Sequence, residues 1–203
     1  PVPTIERLSR YRRLLETLAA GGRVSVHSHV LADMACVTPS QVRRDMMSLG
    51  CSGSPSRGYL VPEVVAAVDR LLNGDVQQQA VIVGLGNLGR AILTYLNGRL
   101  RNLTIAAAFD SDPQKTGRVI GGCRCLGMDL LEETIASRGI LAAILAVPAA
   151  AAQETADRLV AAGIRGILNY APVPLRLPGC VFVDHRDMAT ALEKVAFFAR
   201  NPL

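Results

Sequence analysis

Histidine is scarce in this 203-residue chain: His27, His29 and His185 are the full set. Neither His27 nor His29 fits a metal-ligand spacing, so both read as surface or helix-cap residues, and His185 is left as a weak acid–base candidate. The five cysteines (Cys36, Cys51, Cys123, Cys125, Cys180) are odd in number and lack C-x-x-C spacing. That argues against a disulfide framework or a zinc site and for reduced, mostly buried thiols. Long apolar runs are missing too. Residues 139–152 are interrupted by Pro148 and fall short of the eighteen or so apolar residues a membrane helix needs. The start of the chain, with Thr4 and the charged run from Glu6 to Arg13, does not resemble a secretion signal, so a cytosolic protein with no membrane partner and no metal is expected.

What is present is ample apolar material. A hydrophobic content of 50% builds real cores, in one large domain or two small ones. The net charge of +5 is uneven: residues 1–60 hold eight Arg against four Asp/Glu, whereas the remainder is nearly balanced. Such an excess steers a domain towards phosphates, although it is equally common on solvated modules with no polyanion partner.

In the first third, Ile5, Leu8, Tyr11, Leu15 and Leu18 recur at helical spacing, and Gly21-Gly22 ends that helix. A short helix follows over residues 28–35, with Ser28 as its N-cap and Val30, Leu31 and Met34 facing inward. Thr38-Pro39-Ser40-Gln41 then combines a capping hydroxyl, proline at the first helical position and Gln three residues after the cap, which marks a helix start by capping box. On this third helix Val42, Met46 and Leu49 share the apolar face, so Ser40, Gln41, Arg43, Arg44, Met47 and Ser48 project elsewhere, and Gly50 ends it. Two short helices joined by a tight turn, the second beginning with small polar and basic residues, form the pattern in which a recognition helix enters the major groove. The competing reading is a helical packing domain with a solvated Arg43–Arg44 face. Residues 51–61 carry the turn formers of a β-loop and short strand, a wing that would offer Arg57 to a phosphate. A closing helix over residues 62–72, with Val64, Val65, Val68, Leu71 and Leu72 inward, leads to a linker at Asn73-Gly74-Asp75.

Residues 79–83 form an apolar strand running into Gly84-Leu85-Gly86-Asn87-Leu88-Gly89, after which Ala91, Ile92, Tyr95 and Leu96 continue at helical spacing. This is G-x-G-x-x-G in the context its chemistry needs. Gly84 makes the turn, Gly86 admits the pyrophosphate to the backbone, and Gly89 lets helix and strand pack closely. The next strand, from Leu103, ends in Asp110, where an acid that accepts from the adenosine 2′-OH is expected, so NAD(H) is favoured over NADP(H). Helices and strands then alternate: helix 129–137, strand 140–147, helix 149–162, strand 166–171 and strand 181–184, a mostly parallel doubly wound sheet. Ligands in such sheets lie beyond the strands' carboxyl ends, which nominates Val147, Pro148, Asn169, Tyr170, Ala171 and Pro172 as neighbours of the nicotinamide half, although both prolines also end strands. No separate substrate domain with an acid, base or anion clamp is legible. The last helix, from Asp187, carries Met188, Leu192, Val195, Ala196 and Phe197 or Phe198 on a broad apolar face, to dock at home or on a partner.

With these motifs in order, the chain resembles the Rex family of redox-sensing transcriptional repressors over nearly its whole length. The resemblance rests on Val37-Thr38 with Gln41-Val42-Arg43 and Asp45, the glycine loop at residues 84–89, residues 107–113 (AAFDSDP), Ala146-Val147-Pro148 and residues 166–173 (GILNYAPV). It implies an α/β protein of three parts: a winged-helix domain at 1–75, a Rossmann NAD(H) domain at 76–185, and a terminal helix at 186–203 exchanged within a homodimer. It also implies a sensor without catalytic residues, gripping a palindromic operator in double-stranded DNA when NADH is low and releasing it when NADH binds. The resemblance further assigns a switch in which Asp187 pairs with Arg13 in the DNA-competent state and turns to the Tyr95 hydroxyl when NADH is bound.

On this reading Thr38, Ser40, Gln41, Arg43, Arg44, Ser48 and Arg57 meet DNA. Residues Gly84 to Gly89 with Asp110, Val147, Pro148, Asn169, Ala171, Pro172 and Met188 hold NADH or NAD. Three stretches depart from the family pattern. Met47-Ser48-Leu49-Gly50 stands where Ser-Tyr-Phe-Gly is usual, Pro55-Ser56 where the wing has Arg-Gly with Arg57 two positions later, and Met188 where Phe is frequent. The alternatives are a small NAD-dependent oxidoreductase with an N-terminal dimerisation module, or a nucleotide-responsive scaffold without operator binding.

Overall fold

The computed structural model of the chain describes residues 2–74, 77–100 and 102–201. Contacts divide it into two compact units, Pro1–Gln77 and Gln78–Leu203. The linker expected around Asp75 runs into residues 75 and 76, which lie outside the described residues.

The first unit comprises α1 (Val2–Ala20), β1 (Ser25–Val26), α2 (Ser28–Ala35), α3 (Pro39–Ser48), β2 (Tyr59–Leu60) and α4 (Val61–Asn73). Leu8, Tyr11 and Leu15 of α1 meet Leu31 of α2, Val42 and Met46 of α3, and Val64 and Val68 of α4 in one buried cluster. Fully burying a leucine stabilises by about 1.5–3 kcal/mol, so this cluster holds the four helices together. Thr38 caps α3, its Oγ accepting from the Gln41 N–H at 3.2 Å, with Pro39 at the first turn. The return arm of the capping box is not made, because the Gln41 amide turns forward to Asp45 instead. At α2 the cap position is His27, not Ser28, and it makes no side-chain cap bond. The inward face of α2 is Leu31, Ala32 and Ala35, whereas Val30 and Met34 are exposed. A two-turn helix packed against both α1 and α3 uses alanines to let its neighbours approach. Ile5 and Leu71, also expected inside, lie exposed. The short strand expected after the β-loop is β2, and its partner β1, two residues without a sequence signal, joins the wing to the start of α2.

The second unit comprises β3 (Gln78–Val83), α5 (Asn87–Leu96), β4 (Leu103–Asp110), β5 (Val119–Ile120), β6 (Cys123–Gly127), α6 (Leu131–Arg138), β7 (Ala142–Leu145), α7 (Ala149–Ala161), β8 (Gly166–Asn169), β9 (Phe182–His185) and α8 (Met188–Arg200). The sheet order is β5-β6-β4-β3-β7-β8-β9, parallel throughout except for β5 at the edge. Strands β7 and β8 are shorter than expected, because Pro148 and the Asn169 turn end them. One face buries Val81, Val83, Phe109, Leu145 and Ile167 under α6 and α7. The other buries Ile82, Ala108, Cys125 and Ile144 with Leu93 of α5. Beyond α5 an apolar hollow of about 330 Å³ runs over the sheet past Ile144, Leu168 and Phe182. Every residue of α8 is exposed.

All five cysteines are free. Cys123 and Cys125 are buried, Cys51 is half-buried, and Cys36 and Cys180 are exposed, so the expectation of mostly buried thiols holds for the β6 pair only. Burial pushes the Cys123 and Cys125 thiols up from their ordinary range.

Candidate nucleotide and nucleic-acid sites

Strand β3 lies in mid-sheet, with β4 on one side and β7 on the other, so the chain reverses its winding direction there. Open α/β sheets bind ligands at this reversal, beyond the strands' carboxyl ends. The glycine turn is built for it. Gly84 has φ +94°, and a Cβ there would collide with the carbonyl oxygen of Ala146. A Cβ on Gly89 would collide with the Gly84 carbonyl oxygen, so α5 can start this close to β3 only with glycine at that position. Gly86 has an ordinary φ of −68° and no neighbour within 4 Å of its missing Cβ. The fold therefore does not need glycine at 86, although a ligand at this turn would.

A cavity of about 580 Å³ opens over this turn, lined by Gly84, Gly86, Asn87, Leu88, Asp110, Val147, Pro148, Tyr170 and Pro172 among the expected residues. Ser111, Asp112, Lys115, Met128, Ala151 and Thr155 line it as well, and the sequence reading named none of them. The Asp110 carboxylate is nearly buried and already engaged: Oδ2 accepts from the Leu85 N–H at 2.7 Å and the Lys115 ammonium at 2.9 Å, and Oδ1 from the Asp112 N–H at 2.9 Å. Burial by itself would raise its pKa. The Asp112 amide, the Lys115 ammonium and the Leu85 amide outweigh burial, and the carboxyl lies below its usual range. A carboxylate offers about four acceptor positions, so one is left for a hydroxyl. Lys115 also offsets part of the negative charge on which the preference against a 2′-phosphate rested. The signal for it was a cation shortly after Asp110-Ser-Asp-Pro, at i+3 from Asp112.

The remaining expected residues sit outside the cavity lining. Leu85 is fully buried and Gly89 lies under the turn, so both build the site from beneath. Asn169 forms a buried ring of hydrogen bonds: Nδ2 donates to the Val173 carbonyl and lies 2.9 Å from His185 Nδ1, while Oδ1 accepts from the Ala171 N–H. This fixes the loop carrying Tyr170 and Pro172. Ala171 faces a smaller hollow with His185 and Asp187, and Met188 is exposed at the start of α8. Asp187 caps α8: Oδ1 accepts from the Ala189 and Thr190 N–H groups, and Oδ2 from the Thr190 hydroxyl at 2.8 Å. Those bonds, the Thr190 hydroxyl's foremost, hold its carboxyl below the ordinary range. Tyr95 is exposed on α5 with the Arg99 guanidinium 4.5 Å over its ring, and Arg13 is exposed on α1.

In the first unit, the turn between α2 and α3 is tightened by Cys36, which adopts φ +54° and returns its N–H to the end of α2. On α3, Ser40, Arg43, Arg44 and Ser48 are exposed on one element with Met47. Arg43 donates to Ser28 and Ser40, and Arg44 to the Gln41 Oε1 at 2.9 Å, and among the described residues neither guanidinium is paired with a carboxylate. Ser48 Oγ donates to the Asp45 carbonyl. Arg57 is exposed in the wing, where its backbone N–H bonds Ser54 Oγ. Beneath this face lies Asp45, which accepts from Arg7 Nε and Nη2 at 2.8 Å each, Tyr11 Oη at 3.0 Å and Gln41 Nε2 at 2.9 Å. Burial raises the Asp45 pKa, but these donors, Arg7 first, leave it lowered overall. Gln41 is thus tied at both ends of its amide, which the sequence reading did not foresee.

Among the described residues no helix is long and apolar enough to cross a membrane, and no group of three metal-binding side chains is present.

Together, the exposed α3 face and the cavity over the glycine turn define a DNA-binding regulator of transcription with a Rossmann-type nucleotide domain. A family model described as "CoA binding domain" matches residues 75–173, and one described as "Putative DNA-binding protein N-terminus" matches residues 1–46. The redox-sensing transcriptional repressor Rex of Rhodopirellula baltica is 41% identical over 98% of this chain and 84% of its own length. That of Bacillus subtilis is 36% identical over 99% and 93%. Among solved structures, the Rex-family repressor RSP in complex with β-NAD⁺ and operator DNA superposes with a TM-score of 0.89 at 32% identity, covering 99% of this chain and 93% of RSP. Its complex with β-NADH gives 0.85 at 32% identity, over 99% and 94%. The chain belongs to the Rex family of redox-sensing transcriptional repressors.

Proposed function

We propose that this chain works as a homodimer that grips a palindromic operator when NADH is scarce and lets go when NADH occupies the cavity over the Gly84–Gly89 turn. The observation that carries the reading is that cavity, at the sheet's winding reversal, with Asp110 fixed against the turn and one acceptor position left for a ribose hydroxyl. Gly84, Gly86, Asn87 and Leu88 meet the pyrophosphate, Asp110 the adenosine ribose, and Val147, Pro148, Tyr170 and Pro172 the nicotinamide half, with Leu85, Gly89, Asn169 and Ala171 as the frame. Lys115 joins them as the cation nearest the ribose. In the first unit, Thr38, Ser40, Arg43, Arg44, Ser48 and Arg57 present hydroxyls and guanidiniums to the phosphate backbone and base edges. Gln41 keeps one amide hydrogen and one acceptor position beyond its bonds to Asp45 and Arg44, and these face a base edge.

The homodimer is supported by α8, whose Met188, Leu192, Val195, Phe197 and Phe198 are exposed. An apolar helix without a cover at home is expected to find it on a second copy. Within that dimer, Asp187 exchanges between Arg13 and the Tyr95 hydroxyl as NADH binds.

The reading is tested by fluorescence anisotropy on a palindromic Rex-type operator at fixed salt, with NADH, NAD⁺ or coenzyme A added. Release by NADH, with little effect of the other two, is expected. Release by coenzyme A alone would replace the proposed ligand, and failure to bind the operator in any condition would overturn the repressor reading for this chain.

A further inference from the structure

A second cavity, of about 320 Å³, lies in the first unit between the start of α2, the face of α3 and the wing, lined among others by His27, Ser28, His29, Arg43, Ser54 and Tyr59. The sequence gives both histidines a surface or cap role, and His27 does stand at the N-cap position of α2 with His29 exposed beside it. His27 makes no cap bond, and the two rings stack instead, with centroids 5.6 Å apart and planes within 18°. Two imidazoles held face to face repel when both are charged, unless an anion lies within reach of both. The cavity supplies the rest of an anion site. Arg43 brings a permanent positive charge, its Nη1 3.4 Å from Ser28 Oγ and its Nη2 bonded to Ser40 Oγ. Ser54 adds a wing hydroxyl.

The site is also prebuilt. Gly58, at φ +73°, passes so close that a Cβ would collide with the Val26 carbonyl oxygen, and a Cβ on Gly53 would press on the Tyr59 ring at 2.9 Å. These two glycines bring the wing against the residues just before His27. Arg43 from α3 and Tyr59 from β2 are the other titratable or charged groups facing the histidines, and no carboxylate is among the described residues that line the cavity. The nearest acid on the same helix is Asp33, exposed one turn beyond His29.

We infer that this cavity is a proton-linked clamp for a backbone phosphodiester of duplex DNA: His27 and His29, charged together, hold the phosphate with Arg43, so DNA affinity rises as pH falls. The inference rests on the DNA-binding reading of the first unit. Histidine is the side chain whose charge ordinarily changes between pH 5 and 8, so the linkage would operate in the cellular range. Both protons meet a single phosphate, so the salt dependence of log K steepens by at most about 0.9 per chain at low pH.

The test uses the full chain labelled with ¹³C at its three histidines, titrated over pH with and without a mixed-sequence duplex two helical turns long, and in parallel with inorganic phosphate alone. The duplex is expected to raise the titration midpoints of His27 and His29 by about one pH unit and to leave His185 unmoved. Duplex affinity should rise at least about tenfold from pH 8 to pH 6, and H27Q/H29Q should lose most of that rise. If the α3 amides shift on adding duplex while the two midpoints stay put, DNA binding stands and the clamp is overturned. If neither responds, both readings fall. If inorganic phosphate moves the midpoints and the duplex does not, the site takes a free anion and the DNA assignment is wrong.

Discussion

Gly86 and Gly89 stand three residues apart in one motif, yet the backbone asks different things of them. A methyl at 86 meets nothing within 4 Å, and a methyl at 89 strikes the Gly84 carbonyl oxygen. Gly89→Ala is therefore expected to destabilise the second unit by on the order of 3 kcal/mol, read as a lowered thermal midpoint. Gly86→Ala should leave that midpoint unchanged and weaken NADH binding by tenfold or more, measured by nucleotide fluorescence. If the two variants melt alike, the packing argument is wrong. At the same scale, Tyr11 is fully buried, and burial first, then its bond to Asp45, pushes its phenol from 10.0 to about 12. A raised acid pKa means that the folded state holds its proton more tightly than the unfolded state does. The associated stability is complete below pH 10 and lost as pH rises from 10 to about 12. Tyr11→Phe should remove that alkaline step from a circular-dichroism titration and cost about 1 kcal/mol at neutral pH for the lost hydrogen bond.

Among the elements, α3 shows where sequence reading succeeds. Thr38-Pro39 fixes its start, Gly50 its end, and Val42 and Met46 its buried face, because capping chemistry and periodicity are local. Its polar underside was not legible. Asp45 lies 38 residues from Arg7 and 34 from Tyr11, and only the packing of α1 across α3 brings them together. The cofactor motif divides in the same way. Gly84, Gly86 and Asp110 are marked by spacing, whereas Met128 and Thr155 reach the cavity only through the sheet order. Strand β6 gave little signal for a different reason: Arg124 separates its two buried cysteines, so no apolar run marks it. Because Asp45 pins the recognition element to α1, Asp45→Ala leaves the Arg7 guanidinium without its acid and is expected to cost roughly 3 kcal/mol in urea unfolding of the first unit. Operator affinity should fall in parallel. An unchanged urea midpoint would show that the network contributes no net stability.

For the whole molecule, the exposed apolar side of α8 and the apolar hollow past Leu168 and Phe182 both lie on the second unit without a cover among the described residues. Replacing Leu192 and Val195 together by glutamate should shift sedimentation from dimer to monomer and abolish binding to a full palindrome, while each unit keeps its own helical signal. A dimer that survives both charges would place the interface elsewhere. Asp187 stands at the root of that helix, and its cap has a consequence for signalling. If this carboxylate turns to another residue, α8 gives up two amide bonds and the Thr190 hydroxyl at its first turn. Loss of an N-cap costs about 1 kcal/mol, equivalent to roughly a fivefold bias in an equilibrium. On the proposed switch, the cap biases α8 towards its wound start, and a ligand tips that balance only by discriminating between the two arrangements by more than about fivefold.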